Sequence, residues 1–216
     1  MFKRIIFVSL CRKKRKMTCI VTGDVINSRG IDSNNWIKYL RKELRKYGKE
    51  SKNWEIFRGD SFQLEVEPKD GLMVGFILKS AIKQFKELDL RIGIGIGEKD
   101  YNSGKITQSN GSAFVNSGEC FDNLKKQTLA IKTDFPEFDE QINLMLELFA
   151  LIMDNWSPNS ALSVKTALEN PDLNQEKIAK LLGKTQSNIS SAMKRSGYYP
   201  LLELIRFYEK NIEELC

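Results

Sequence analysis

The stretch LDLRIGIGIG, residues 88–97, has the pattern of a buried β-strand with one unusual face. Apolar residues alternate along it with the period of two that is typical of a strand. Gly93, Gly95 and Gly97 all fall on the opposite face, which therefore carries no side chains there. Another backbone or a ligand can approach such a face closely. The stretch predicts a strand on which a second backbone or a ligand packs.

The segments around this strand alternate between strand and helix patterns. Strands are predicted over 17–23, in a hairpin over 54–67 with its turn at Gly59-Asp60, near Ile106-Thr107, and over 128–133. Helices are predicted over 33–47, 70–87 and about 112–126. The order β-α-β-β-α-β-(β)-α-β is that of a split βαβ, ferredoxin-like arrangement with further elements added.

Beyond Pro136 only helical patterns remain. The helix predicted over 137–154 has a broad apolar face, which Leu144, Leu148 and Leu151 widen. It is too short for a membrane helix, and we expect a buried connector or a dimer helix. Four more helices are predicted over about 159–169, 173–182, 185–195 and 199–213.

Residues 175–195, QEKIAKLLGKTQSNISSAMKR, have the spacing of a helix-turn-helix. Ala179 is small where a second helix must pack, Gly183 tolerates a left-handed turn four positions later, and Ile189 anchors the second helix six positions further on. Thr185 is the expected N-cap of that second helix. The alternative is an ordinary helical hairpin with a polar face.

The second of these helices carries side chains that suit a DNA groove. Glutamine and asparagine pair with adenine edges, serine is versatile, and lysine and arginine bind phosphate or guanine. Residues 173–195 hold five basic residues and one acid. The candidate DNA-binding residues are Lys184, Thr185, Gln186, Ser187, Asn188, Ser191, Lys194 and Arg195.

The net charge of +6 comes from one end of the chain. Residues 1–16 hold seven of the 34 basic residues and no acid, which leaves 27 basic against 28 acidic residues elsewhere. We expect a disordered tail, or translation that begins at Met17, rather than an arm on nucleic acid or anionic lipid.

The absence of histidine excludes serine–histidine and cysteine–histidine catalysis and histidine metal ligands. The four scattered cysteines predict reduced thiols in a cytoplasmic protein.

Two carboxylates are candidate metal ligands. Asp24 follows the first predicted strand and Asp60 lies in the hairpin turn, and these elements are neighbours in a ferredoxin-like sheet. Paired aspartates suit Mg²⁺ or Mn²⁺ that holds a triphosphate. Arg58, Gly59 and Ser61 of the same turn are candidate nucleotide-binding residues, because such a turn lets phosphates approach the backbone. The alternative is ordinary turn chemistry, in which aspartate is common.

Four phrases resemble class III nucleotidyl cyclases in order and spacing over about residues 18–133: VTGDVINSRG, FRGDSFQLEV, LRIGIGIGE and NGSAFVNSG. The resemblance implies that Asp24 and Asp60 are the two metal aspartates and that Asn116 takes part in nucleotide binding. The resemblance fails at two positions. Ile56 stands where that family has a base-reading lysine, and Cys120 stands where it has a transition-state arginine. The resemblance therefore supports metal and phosphate binding further than it supports cyclisation.

The chain from Met17 onward resembles the SatD family through VTGDVINSRG, FRGDSFQLEV, SNGSAFVNSG and KTQSNISS. That resemblance implies a cyclase-like domain joined to a helix-turn-helix. The predicted fold class is therefore α+β, with a ferredoxin-like, cyclase-like split βαβ domain followed by an all-α helix-turn-helix domain. The predicted parts are a tail over 1–16, the first domain over 17–135, a connector helix over 136–157 and the second domain over 158–216.

These patterns lead to three hypotheses. The first is a homodimeric DNA-binding regulator whose N-terminal domain senses a nucleotide or metal, or serves as the dimer scaffold. The second is a metal-dependent nucleotidyl cyclase or nucleotidyltransferase that acts on nucleoside triphosphates, with a helical tail that binds a partner. The third is a scaffold in which the cyclase-like domain only dimerises. None of them places the chain in a membrane.

Overall fold

The computed structural model describes residues 17–28 and 33–216, so the tail predicted over 1–16 lies outside the described residues. The strands are β1 (Met17–Ile26), β2 (Trp54–Phe57), β3 (Ser61–Val66), β4 (Asp89–Glu98) and β5 (Leu129–Lys132). The helices are α1 (Ser33–Leu44), α2 (Gly71–Ile82), α3 (Ser112–Asp122), α4 (Pro136–Met153), α5 (Pro158–Glu169), α6 (Gln175–Leu181), α7 (Gln186–Arg195) and α8 (Tyr198–Leu215). The described part of the chain is α+β, as the sequence predicts.

The five strands form one mixed sheet in the order β2-β3-β1-β4-β5. The central strand β1 is antiparallel to both β3 and β4, whereas β5 is parallel to β4. β1 continues to Ile26 rather than ending at residue 23, so Asp24 lies within the strand, opposite both Ser61 and Arg91. No helix of the described residues is long and apolar enough to cross a bilayer.

The strand predicted near Ile106-Thr107 is wrong. Residues Ile106–Gln108 form a 3₁₀ turn, and the Ile106 side chain is fully buried. The Ile106 N–H donates to the Ser51 carbonyl oxygen at 2.8 Å, which fixes the turn without a strand partner. A single buried isoleucine in a loop gives the same local pattern as a very short strand, and this explains the error.

The glycine face of β4 holds helix α3, so the sequence prediction of a close backbone approach is confirmed. A Cβ atom added at Gly95 would lie 2.1 Å from the Ser117 backbone nitrogen and 2.4 Å from the Ala113 carbonyl oxygen. A Cβ at Gly93 would lie 2.6 Å from the Phe121 backbone nitrogen. These distances are too short for any side chain, so the packing of α3 on the sheet requires glycine.

Helix α2 lies against the opposite side of the sheet and is buried along nearly its whole length. Its Lys79 side chain is fully buried, and the ammonium donates to Asp89 Oδ1 at 2.7 Å, the Leu90 carbonyl oxygen at 2.9 Å and Thr128 Oγ1 at 2.8 Å. Burial lowers the pKa of Lys79, and the adjacent Asp89 carboxylate opposes that effect. The three acceptors match the three donors of the ammonium, so the buried charge is satisfied.

The C-terminal helices pack into the same core as the sheet. Helix α5 contacts α2, and α8 contacts α2 and α4. One hydrophobic cluster contains Leu78 of α2, Val164 of α5 and Tyr208 of α8. The hydroxyl of Tyr208 donates to the carbonyl oxygen of Pro68, directly before α2. Packing therefore joins the region predicted as a second domain to α2.

Replacing Gly95 by alanine is expected to destabilise the protein by about 2–3 kcal/mol, because backbone atoms of α3 would have to move. The matched control is Gly118→Ala, since a Cβ at this helical position meets no atom within 4 Å. That control is expected to be neutral or to stabilise by up to about 1 kcal/mol. Urea unfolding measures both, and equal losses would contradict the packing described.

Candidate nucleic-acid interface and candidate metal centre

The turn between α6 and α7 contains a left-handed residue at Gly183, with φ of +61°. A Cβ there would meet no atom within 4 Å, so the backbone conformation alone favours glycine. The Thr185 side chain accepts a hydrogen bond from the Asn188 N–H at 3.3 Å and caps α7. The left-handed turn and the N-cap predicted from the sequence are both confirmed.

A small hydrophobic cluster holds α6 and α7 together. Ala179 is 3% exposed and Ile189 is fully buried, as their spacing predicts. The cluster also contains Ala167 of α5, together with Ile178 and Met193. Since α5 also packs on α2, the orientation of α7 is fixed relative to the sheet.

The outer face of α7 is polar. The exposed candidates are Thr185, Gln186, Ser187, Asn188, Ser191, Lys194 and Arg195, while Lys184 is half-buried. The Gln186 amide nitrogen donates to Gln175 Oε1 at 3.0 Å, and the Gln175 amide nitrogen donates to the Tyr199 hydroxyl at 2.7 Å. The structure therefore places the eight predicted residues on α7 and the turn before it. The side chain of one of them, Gln186, is fixed by its hydrogen bond to Gln175 of α6.

Asp24 and Asp60 lie at the same end of the sheet. The Val25 N–H donates to the Asp60 carbonyl oxygen at 3.2 Å, and the Ser28 hydroxyl donates to Asp60 Oδ2 at 2.6 Å. Ser61 is the partner of Asp24 in the antiparallel register between β1 and β3. The backbones of Asp24 and Asp60 are therefore close neighbours, as the sequence predicts.

The hairpin turn presents Arg58 and Gly59 at this same end. Both are exposed, and both have positive φ, +53° at Arg58 and +90° at Gly59. A positive φ is costly for a residue with a side chain, so the arginine here has an unusual conformation. The turn thus adds an exposed cation at the same end of the sheet as the two aspartates.

Arg91 is a residue of this site that the sequence prediction missed. Its Nε donates to Asp24 Oδ1 at 2.9 Å and its Nη2 to Asp24 Oδ2 at 2.5 Å. The guanidinium carbon lies 5.3 Å from the centroid of the Phe121 ring. The hydrogen bond to Asp24 raises the pKa of Arg91, and the charges of Asp24 and Asp60 add to that effect. The signal in the sequence was an arginine on the glycine face, two residues before Gly93.

The residues at this end do not form a ready site for a divalent cation. Both carboxylate oxygens of Asp24 are bonded to the Arg91 guanidinium, whose charge repels a cation. Within the described ranges 17–28 and 33–216, no three Asp, Glu or Cys side chains are grouped so that they could hold a metal ion. In this arrangement the Arg91 guanidinium competes with a cation such as Mg²⁺ or Mn²⁺ for the Asp24 carboxylate.

Asn116 is not brought to the two aspartates. Its amide nitrogen donates to the Ile96 carbonyl oxygen at 2.9 Å and to Asp134 Oδ1 at 3.1 Å, and the residue is 6% exposed. Ile96 is five residues from Arg91 along β4, or about 16 Å in a strand. The hydrogen bonds of Asn116 tie α3 to the sheet near the opposite end of β4.

Cys120 stands where the cyclase resemblance expects an arginine, and it is a buried, neutral residue. Its side chain is 7% exposed and packs with Leu124 and Ala130. Burial raises the pKa of the Cys120 thiol to about 12. No cation is therefore available from this position to stabilise a triphosphate.

Comparison with known families places both candidate sites within one family match. The family model of SatD matches residues 18–204. The matched range begins within β1 and ends within α8, so it contains both the aspartate end of the sheet and the α6–α7 unit. No curated protein matches the chain.

Gly183→Ala is expected to cost about 1–2 kcal/mol of stability, because alanine is strained in the left-handed conformation. Gly183→Asn is expected to cost clearly less, since asparagine adopts this conformation more easily. Thermal or urea unfolding of the two variants provides the measurement. Equal losses for alanine and asparagine would contradict the left-handed turn as the reason for glycine.

Proposed function

The chain belongs to the SatD family, and on that premise we propose that it is a DNA-binding transcriptional regulator. The observation that carries the proposal is the α6–α7 unit, in which a left-handed Gly183 and a buried Ile189 set a polar helix on the surface. A helix with this outer face suits the major groove, where side chains read base edges. In this proposal residues 158–216 are a helix-turn-helix domain.

The order of side chains along α7 suggests how the helix meets DNA. The first turn of a recognition helix contacts base edges, and here it carries Gln186, Ser187 and Asn188. Lys194 and Arg195 stand in its last turn, where cations bind the phosphate backbone. The hydrogen bond from Gln186 to Gln175 supports a preset position for the first base-reading side chain.

We further propose that the sheet is a cyclase-like domain that senses a nucleotide with its divalent cation. Support comes from the two aspartates and the two arginines, Arg58 and Arg91, at one sheet end. An anionic phosphate competes with Asp24 for Arg91, and that exchange would free Asp24 for the cation that accompanies the phosphate. Buried Cys120 and half-buried Ile56 argue against the alternative, a nucleotidyl cyclase or nucleotidyltransferase.

Reversing two charges on α7 tests the DNA proposal. Lys194→Glu with Arg195→Glu is expected to weaken binding to a duplex from the gene's own upstream region by about 10–100-fold, and to make the salt dependence shallower, because two phosphate contacts are lost. Fluorescence anisotropy at several salt concentrations measures both effects.

The matched control for that test is Lys125→Glu with Lys126→Glu, an exposed pair in the loop after α3. It changes the net charge by the same amount at a distant place. Equal weakening by both double variants would show that only total charge matters, and it would contradict α7 as the reader.

A thermal shift assay with nucleoside triphosphates and Mn²⁺ tests whether the protein binds a nucleotide together with a divalent cation. A ligand that binds only the folded protein raises its melting temperature, and we expect a rise for at least one triphosphate. Asp60→Asn is expected to remove the rise, whereas Asp122→Asn, the same change on an exposed residue of α3, is expected to keep it. Absence of any rise would contradict the sensor, and formation of a cyclic product would favour the enzyme.

A further inference from the structure

We propose that the exposed apolar face of helix α4 is the surface through which two copies of this chain pair. This face, called the α4 outer face below, consists of Leu144, Leu148, Leu151 and Ile152, which are 59%, 60%, 72% and 37% exposed. Their spacing of four, three and one residues places them on one side of the helix. The buried side of α4 already packs on the core through Ile142, Leu146, Phe149 and Met153.

The α4 outer face concentrates the exposed apolar surface of the described chain. Eight large hydrophobic side chains are exposed among the described residues, and four of them form this face. The other four lie on separate elements, at Tyr101, Val115, Leu181 and Tyr199. A twofold contact uses the same patch on both subunits, and this is the patch that a second copy can match with apolar surface of equal extent.

The size of the face sets the strength of the pairing. Four side chains of these exposures present on the order of 400 Å² of apolar surface, within the range of a functional patch. Two such faces together bury about 800 Å², whereas a stable interface needs about 1,200–2,000 Å². We therefore expect a dimer that dissociates on dilution rather than an obligate one.

The shape of the face favours a helix as its occupant. The face is a ridge about two turns long on the convex surface of α4. A second helix covers such a ridge when the ridges of one helix pack into the grooves of the other. Helix α4 also carries three exposed acids, Glu137, Glu140 and Glu147, but no lysine or arginine. Self-pairing therefore brings acids together at the rim, so salt should leave the dimer unchanged or tighten it. Docking of a basic segment would instead weaken with salt.

Pairing through α4 also places the two α7 helices, and this consequence rests on the proposed function. Gly197, between α7 and α8, lies on the C-terminal end of α4. A Cβ there would be 3.2 Å from Phe149 and 3.4 Å from Ile152. The α4 contact therefore fixes the separation of two reading helices, which proteins of this type use on paired half-sites.

Sedimentation velocity of the full chain over a range of concentrations tests the pairing. The wild type is expected to show a reversible monomer–dimer equilibrium that salt does not weaken. Leu148→Glu is expected to raise the dimer dissociation constant at least 10-fold. Leu181→Glu is the matched control, because Leu181 is 61% exposed and lies on α6. The control is expected to change the constant less than twofold, and circular dichroism verifies that both variants fold.

Three results would overturn the proposal. They are a wild type that stays monomeric at about 0.2 mM, equal effects of the two glutamate substitutions, and dimerisation that appears only when residues 1–16 are removed. The last would show that the chain's own basic segment covers the face. Duplex binding by the Leu148→Glu protein separates the two proposals, since binding to a single half-site by a monomer would leave α7 as the reader.

Discussion

The burial of helix α2 is the constraint on which both parts of the molecule depend. Eleven of its twelve residues are buried, with the sheet on one side and the C-terminal helices against the other. An isolated charge in such a place would cost several kcal/mol, and Lys79 is tolerated because three acceptors surround its ammonium. Since Asp89 begins β4, the same ion pair that satisfies the helix also fixes it on the sheet.

This shared core offers a physical connection between the proposed nucleotide sensor in the sheet and the proposed DNA-binding helix α7. The aspartate end of the sheet involves β1 and β4, both strands contact α2, α2 contacts α5, and α5 contacts α7. A change in the Asp24–Arg91 pair would act on strands that belong to the same packed unit as α7. Contiguity of this kind permits coupling between two sites, and a measured difference in DNA affinity with and without nucleotide would establish it.

The sequence predicted the parts of this structure that depend on local pattern. The glycine strand, the hairpin, the turn at Gly183 and the inward residues of α6 and α7 follow from periodicity and from residues with special backbone freedom. What it could not give was strand register and side-chain partners. Asp24 was expected after a strand and lies within one, where only the β1–β4 register shows that Arg91 faces it. Asn116 was expected to take part in nucleotide binding, and its partners Ile96 and Asp134 are set by the docking of α3.

Selection from a library of random duplexes shows whether α7 reads a DNA sequence. After several rounds with the chain, we expect an enriched motif whose two halves are related by a dyad. We also expect that Gln186→Ala with Asn188→Ala loses base preference within each half while retaining affinity for duplex. A library that stays unenriched, or a motif that the double alanine variant selects unchanged, would contradict sequence reading by α7.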